Sequence, residues 1–241
     1  MKRFQPTPYP SKRFYAVRTG TAISLHSPGG AHHGGGVRGK SSYSRQARAR
    51  LLALMLSIKT EPAHFITLTY PDNVDFTWEQ SFCHLTVFIK RLRRRFPRHS
   101  LLWKREYTSA GILHFHLIYW GPSLSGHFEE FSRHWYECCG SLSPDHLAAG
   151  TKIEVPRGNW HYYLSKYISK PVDGVDGRFW GLYGRSFLEF YDRELLELDW
   201  SLYHQLQYSL KGRRFGDEAS TLFDDLRRIT DELSNEPSTE P

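Results

Sequence analysis

The stretch LHFHLIYWG, residues 113–121, places two histidines, His114 and His116, in an otherwise apolar run. In a β-strand, residues two apart point to the same face and lie about 7 Å apart along the strand. A single histidine among apolar neighbours is usually a packed core residue, whereas two on one face have a metal-ligand spacing if a third ligand lies nearby. The stretch therefore predicts a core strand with a candidate metal site on one face.

The third ligand depends on the hairpin that joins this strand to the preceding run LLWKREY. A three-residue loop over 109–111 would end in a glycine with a left-handed backbone. In that register Glu106 lies opposite His114, and Lys104 lies opposite His116. A two-residue loop would turn Glu106 to the other face of the sheet, so the predicted ligand set depends on the register.

Two imidazoles and one carboxylate leave coordination positions open, which favours a catalytic over a structural metal. Zinc fits such a set, but a substrate with anionic oxygens favours Mg²⁺ or Mn²⁺. Such a metal would act as a Lewis acid on a phosphoryl oxygen. The alternative is two surface histidines and a solvated glutamate.

A second motif, YYLSKYISK at 162–170, contains candidate nucleophiles. Tyr163 and Tyr167 are four residues apart and share one face of a predicted helix over 160–170, and Lys166 and Lys170 each follow three residues later. A tyrosine hydroxyl has a pKa of about 10 in water, so a nearby cation or metal is needed to stabilise the phenolate. Attack on a phosphodiester would then give a covalent phosphotyrosine. A core-facing aromatic pair explains the tyrosines but not the paired lysines.

The charge distribution indicates a polyanionic partner. The formal net charge is +7, and residues 1–60 contain 11 lysines and arginines before the first acidic residue, Glu61. For the basic end of the helix that follows Thr77, a solvated face that suits the helix dipole is the alternative to phosphate contact. The candidate DNA-binding residues are Arg45, Arg48, Arg93, Arg94, Arg95, Lys104 and Lys170.

The remaining pattern predicts strands alternating with helices. Thr77 and Gln80 form a capping box at the start of a helix, whose predicted apolar stripe is Phe82, Leu85, Ile89, Leu92 and Phe96. The other predicted elements are a helix over 42–60, a strand over 64–70, a helix over 126–139 and a strand over 151–156. The predicted divisions are a basic Gly/Ser/His-rich arm over 1–42, a catalytic domain over 43–216 and an acidic, weakly ordered tail over 217–241, with at most a short helix at 220–233.

Several classes of protein are disfavoured. Residues 34–41 match the phosphate-binding pattern GxxxxGK[ST], but no apolar strand precedes them, so no nucleotide cofactor is expected. Three cysteines without a CxxC pair suit a reducing cytoplasm. No run approaches the roughly 18 apolar residues of a membrane span, and the start lacks the apolar stretch of a signal peptide. The sequence predicts a cytoplasmic protein without a membrane partner.

Three motifs in order, FITLTY, HFHLIYWG and YLSKYISK, resemble those of the HUH endonucleases. Within that superfamily the chain is most similar to rolling-circle replication initiators of single-stranded DNA phages and plasmids, of the two-tyrosine subclass. The resemblance covers roughly residues 60–185. It implies an α+β fold, with a central antiparallel sheet of about five strands, flanking helices and an RRM-like core.

The resemblance also implies a mechanism. His114, His116 and Glu106 would bind the divalent metal, and Tyr163 or Tyr167 would nick one strand. The products would be a 5′-phosphotyrosine and a free 3′-hydroxyl. The second tyrosine would later cut the regenerated origin, and the first product strand would be joined into a circle. Lys166 would assist at the phosphate. The implied partners are a single-stranded DNA origin, alone or as a hairpin, a host helicase and a DNA polymerase.

Two other interpretations remain open. A single-tyrosine transposase or a relaxase would use the same chemistry, although relaxases usually place the tyrosine ahead of the histidines. A noncatalytic RRM-like domain would bind nucleic acid by stacking bases on Trp103, Tyr119 and Phe65. It would need no metal and would form no covalent product.

Overall fold

A computed structural model of the chain describes residues 13–27, 45–72, 74, 76–108, 111–157, 160, 178–210 and 217–235. The chain divides into two compact units. One comprises Met1–Val37 with Tyr191–Pro241, and the other comprises Arg38–Phe190. The motifs that predict function lie in the second unit.

The unit Arg38–Phe190 is built on a five-stranded antiparallel sheet, as the sequence predicted. In the order in which they lie in the sheet, the strands are β6 (Thr151–Glu154), β3 (His64–Thr69), β5 (Leu113–Trp120), β4 (Ser100–Tyr107) and β7 (Trp180–Tyr183). The predicted hairpin is β4–β5, and the histidine strand β5 is the middle strand. Because β5 has two strands on each side, its backbone is held firmly against slippage.

The two faces of this sheet have different coverings. Helices α2 (Trp78–Arg95) and α3 (Phe128–Cys138) pack on the face that carries Trp103 and Phe115, which we call the α2/α3 face. The opposite face carries Glu106, His114 and His116, and we call it the histidine face.

Part of the histidine face is apolar. Helix α1 (Arg45–Leu56) packs there against Leu102, Ile118 and Trp120. The short helix α4 (Pro144–Ala149) follows α3 along the chain. Among the helices that the structure describes, none is both long and apolar enough to cross a bilayer.

Helix α2 begins where the sequence predicted. The Thr77 side chain accepts from the Gln80 backbone N–H, and the Gln80 side chain accepts from the Thr77 backbone N–H, which completes the capping box. One member of the predicted stripe is wrong: Phe82 is 37% exposed, whereas Phe88 is fully buried. Phe88 lies three residues after Leu85 and four before Leu92, so it continues their face of the helix.

The unit Met1–Val37 with Tyr191–Pro241 contains a three-stranded antiparallel sheet. Strand β1 (Phe14–Thr19) lies between β2 (Ala22–His26) and β8 (Arg193–Leu198). Helices α5 (Trp200–Ser209) and α6 (Asp217–Asn235) supply Tyr203 and Phe223 to its core.

Ion pairs also join the elements of this smaller unit. Arg18 of β1 donates to Glu194 of β8 and to Asp224 of α6. Burial lowers the pKa of Arg18, but the two carboxylates outweigh it and the net pKa is raised.

The structure corrects the predicted ends of the chain. Residues 14–26, expected in a basic arm, form the strands β1 and β2, and residues 217–235, expected to be weakly ordered, form helix α6. The alternating pattern of FYAVRT was hidden by Gly-rich and basic neighbours, and its partner β8 lies about 175 residues away. Pairing at that separation leaves no local signature in either segment.

Candidate functional site

The predicted hairpin register is confirmed. Glu106 pairs with His114, and Lys104 pairs with His116, across β4 and β5. The Thr108 N–H donates to the Ile112 carbonyl at 2.8 Å, and Gly111 takes the expected left-handed backbone with φ +81°. Since directly opposite residues share a face, all four paired side chains belong to the histidine face.

Glu106 and His116 are already in contact. His116 Nε2 lies 3.0 Å from Glu106 Oε2. The His114 and His116 ring centroids are 5.2 Å apart, and Thr67 Oγ1 on β3 lies 3.4 Å from His116 Nδ1. The three predicted ligands therefore form one group at the middle of the sheet.

This group lies in an unusually polar part of the protein interior. Glu106 is 1% exposed and Lys104 is 2% exposed. A cross-strand row on the histidine face runs from Lys152 through Thr67 and His116 to Lys104. Burying charged groups costs several kcal/mol per ion unless opposite charges and hydrogen bonds compensate. The buried carboxylate thus lies beside His116 and near the buried Lys104, whereas Lys152, at the far end of the row, is exposed and pairs with Glu154.

Glu106, His114 and His116 offer one carboxylate and two imidazoles as possible metal donors. Within the described residues, no three histidine, cysteine or carboxylate side chains are gathered closely enough to hold an ion. The contact of 3.0 Å between Glu106 and His116 is a hydrogen-bonding distance, and His114 lies on the same face. The residue types suit a divalent metal, but within the described residues their placement does not bring three donors within reach of one ion.

The tyrosine motif lies outside the described residues: Tyr163, Lys166, Tyr167 and Lys170 all fall within 161–177. The residue before this segment is described. Trp160 is buried and packs edge-to-face on Trp120, with ring centroids 5.7 Å apart. It belongs to the apolar cluster on the histidine face. The chain thus enters the tyrosine segment on the face that carries His114 and His116.

The chain leaving the segment is held next to Glu106. The backbone N–H of Arg105 donates to the Phe179 carbonyl at 2.8 Å. The Arg105 guanidinium carbon lies 4.6 Å from the Phe179 ring centroid and 4.2 Å from that of Trp78. Arg105 is fully buried between these rings, so the segment is anchored at both ends.

The predicted DNA-binding residues fall into separate places. Lys104 is next to the ligands. Arg93, Arg94 and Arg95 are exposed at the end of α2, which packs on the α2/α3 face, so the structure does not bring them to the histidines. Arg48 is half-buried on α1. Arg45 begins that helix, but its side chain is not described.

Sequence reasoning overlooked Thr67, Lys152 and Arg105. Thr67 and Thr69 alternate with apolar residues in HFITLT, and this alternation was a usable sign that one face of β3 is polar. No such sequence pattern marks Lys152 and Arg105, because the residues next to them in the fold come from distant strands.

The proposed stacking surface is absent. Trp103, Tyr119 and Phe65 are buried, with Tyr119 fully so, and burial raises the pKa of the Tyr119 hydroxyl to about 12. Side chains packed in a core cannot stack on bases. The prediction that these three residues stack on bases is therefore wrong.

Part of the chain matches one known protein family. Residues 63–172 match the family described as replication-associated protein ORF2. No curated protein and no solved structure gives a significant match. The matched segment contains the strands β3, β4 and β5 with all three candidate ligands, and the tyrosine motif. Residues 63–172 are therefore similar to replication-associated proteins of the ORF2 family, which indicates a rolling-circle type of replication initiator that binds DNA.

Proposed function

We propose that this chain initiates rolling-circle replication by nicking and rejoining single-stranded DNA at an origin, with a divalent metal and a covalent 5′-phosphotyrosine. The observation that carries the proposal is the register of β4 and β5. It puts Glu106, His114 and His116 on one face of the central strand, inside the segment that matches the replication family.

Glu106, His114 and His116 would hold Mg²⁺ or Mn²⁺. When bound, such an ion supplies a Lewis acid for the scissile phosphate. Lys104 and Lys152 lie in the same cross-strand row as His116 and would offset the negative charge of a DNA strand.

Tyr163 or Tyr167 would supply the nucleophile. Its hydroxyl loses a proton, the phenolate oxygen bonds to phosphorus, and the bond from phosphorus to the 3′-oxygen breaks. The departing 3′-oxygen takes up a proton and becomes a free hydroxyl. Lys166 would stabilise the phenolate or the phosphate charge. Because the phosphotyrosine conserves the energy of a phosphodiester, a 3′-hydroxyl can reverse the step and join the strand.

The same proposal names partners and setting. A free 3′-hydroxyl is the primer that a DNA polymerase extends, and a host helicase would open the duplex ahead of it. We place this reaction in the host cytoplasm, in keeping with the cysteine pattern.

Covalent trapping tests the proposal. The protein is incubated with Mn²⁺ and labelled single-stranded oligonucleotides that tile its own replicon, and products are separated on a denaturing gel. We expect an adduct that requires the metal, that is lost in His116→Ala and that is reduced in Tyr163→Phe or Tyr167→Phe. Tyr162→Phe, in the same segment, is the matched control and should behave as wild type.

Two results would contradict the proposal. One is an adduct that persists when both Tyr163 and Tyr167 are replaced by phenylalanine. The other is the absence of any adduct on all tiled strands while DNA binding is retained.

A further inference from the structure

An arginine-rich surface lies far from the candidate metal site. Arg93, at the end of α2, Arg98, in the following loop, and Arg185, in a 3₁₀ turn over Arg185–Phe187, are all exposed. Their guanidinium groups lie on aromatic rings: Arg93 is 5.9 Å from the Tyr183 centroid and Arg98 is 6.0 Å from that of Phe187. Arg185 is 4.2 Å from the centroid of Phe190. We call these three arginines with Tyr183 and Phe187 the arginine ridge.

The ridge is a connected and firmly built surface. Tyr183 contacts His99, with ring centroids 5.3 Å apart. The Ser100 hydroxyl donates to the Gly184 carbonyl at 2.7 Å. Gly184 has φ +71°, and a Cβ there would clash with the His99 carbonyl. The 3₁₀ turn is therefore pressed against the start of β4, so Arg98 and Arg185 are presented from rigid backbone.

The charges of the ridge are not accounted for by local pairing. Arg91 and Arg95, on the side of α2 that meets α3, pair with Glu137 and Glu130. In the part of the chain that the structure describes, no carboxylate lies within ion-pair distance of Arg93, Arg98 or Arg185. The helix dipole favours cations in the last turn of α2, but Arg98 and Arg185 lie outside that helix.

The ridge lies at the other end of the sheet from the metal ligands. Ser100 and Glu106 are six residues apart on β4, or about 20 Å at the usual strand rise. Tyr183 pairs with Leu101 and shares the α2/α3 face, whereas Glu106 belongs to the histidine face. A phosphate bound at the ridge is therefore not the phosphate that reacts at the candidate metal site.

We propose that the arginine ridge binds the phosphate backbone of duplex DNA, without reading its sequence, and so retains the double-stranded region beside the single strand being nicked. Three arginines on rigid supports suit a duplex, whose two strands present one phosphate charge per roughly 1.7 Å of axis. The guanidinium groups lie beside aromatic rings at the protein surface, so the ridge presents its positive charges to a phosphate backbone.

The test compares Arg98→Gln/Arg185→Gln with the control Lys90→Gln/Arg133→Gln, which also removes two exposed cations. Binding of a labelled duplex of unrelated sequence is measured by fluorescence anisotropy over a series of KCl concentrations, beside the same sequence as a single strand. Loss of two phosphate contacts should make the log–log salt slope shallower by about 1.8. We expect this change for the duplex in the ridge variant and a wild-type slope in the control.

Further variants keep the interpretation clear. Adding Arg93→Gln should weaken duplex binding further, and Arg98→Lys/Arg185→Lys should restore the slope because the charge returns. Adduct formation on a short single strand should be unchanged in the ridge variant. If the protein proves not to nick DNA, the duplex-binding measurement still tests the arginine ridge, because binding involves no reaction.

Two outcomes would overturn the inference. The first is equal duplex affinity and slope in wild type, ridge variant and control. The second is an equal loss of single-strand and duplex binding together with loss of the adduct, which would assign the ridge to the path of the reacting strand.

Discussion

The two faces of the central sheet are made by alternate residues of the same strands, yet they are filled differently. On the α2/α3 face, Trp103 and Phe115 join a continuous apolar core with Trp135. On the histidine face, the apolar contacts with α1 end before His116, and Lys104 and Glu106 are buried beside it. Replacing buried ionic groups by apolar ones of similar volume is often neutral or stabilising, so stability alone does not explain the polar half. The contrast indicates that the α2/α3 face holds the fold, and it makes the histidine face the candidate functional face.

The largest expected effect on stability is on the α2/α3 face. Trp135 is fully buried, and its Nε1–H donates to the Thr69 carbonyl at 2.8 Å. Trp135→Ala should lower the free energy of unfolding by about 4 kcal/mol, through lost burial, a cavity and one lost hydrogen bond. Urea unfolding measures this. Trp200→Ala removes a tryptophan that is 65% exposed and should change stability by less than about 0.5 kcal/mol.

A substitution on the histidine face should reduce activity strongly and stability only slightly. Glu106→Gln keeps the shape of the side chain but removes a charged donor, and we expect metal-dependent adduct formation to fall by about 100-fold. The free energy of unfolding should change far less than in Trp135→Ala. A Mn²⁺ titration of adduct yield, beside urea unfolding of the same protein, checks both. An undiminished adduct yield would remove Glu106 from the site.

Acid should weaken the α2/α3 side of the sheet. Burial lowers the pKa of His64, whose Nε2 accepts from the Leu124 N–H at 2.9 Å, and also lowers the pKa of His99 and His146. A histidine whose pKa is lower in the folded than in the unfolded chain takes up its proton at a higher pH in the unfolded chain. Acid therefore favours the unfolded chain. Stability is therefore full above the unfolded pKa of about 6.5 and declines as the pH falls below it.

His64→Gln tests this dependence, because a glutamine oxygen can accept the same hydrogen bond without titrating. The free energy of unfolding, measured from neutral to mildly acidic pH, should fall less steeply in this variant. A slope identical to wild type would assign the acid sensitivity to other groups.

The smallest expected effect is at the start of α2. Thr77→Ala removes the N-cap and should cost about 1 kcal/mol of stability. Thr86→Ala makes the same change inside that helix, where alanine has the better propensity by a few tenths of a kcal/mol, so it should be neutral or stabilising. Thermal unfolding of the two variants gives the comparison. Equal destabilisation by both would show that the cap at Thr77 has no special role.

The local features of the fold were predictable because their causes are local. The capping box at Thr77 and the glycine turn at Gly111 each depend on residues within four positions. The hairpin register follows from that turn, and it correctly placed Glu106 opposite His114. Strand β1 was missed in part because it pairs with β8, far along the chain. Its local hairpin with β2, which turns at Gly20, was overlooked among Gly-rich and basic neighbours.

The sequence by itself determined the donor types at the candidate site, their spacing of two along β5, the basic charge and the start of α2. Alternation, loop length and capping are properties of a few adjacent residues, so no tertiary contact is needed to predict them. Only the tertiary structure decided that Thr67 and Lys152 join the row of His116, and that Trp160 and Phe179 anchor the ends of the tyrosine segment. It alone separated Arg93, Arg98 and Arg185 from the candidate ligands, because the faces and ends of a sheet are defined by packing between distant segments.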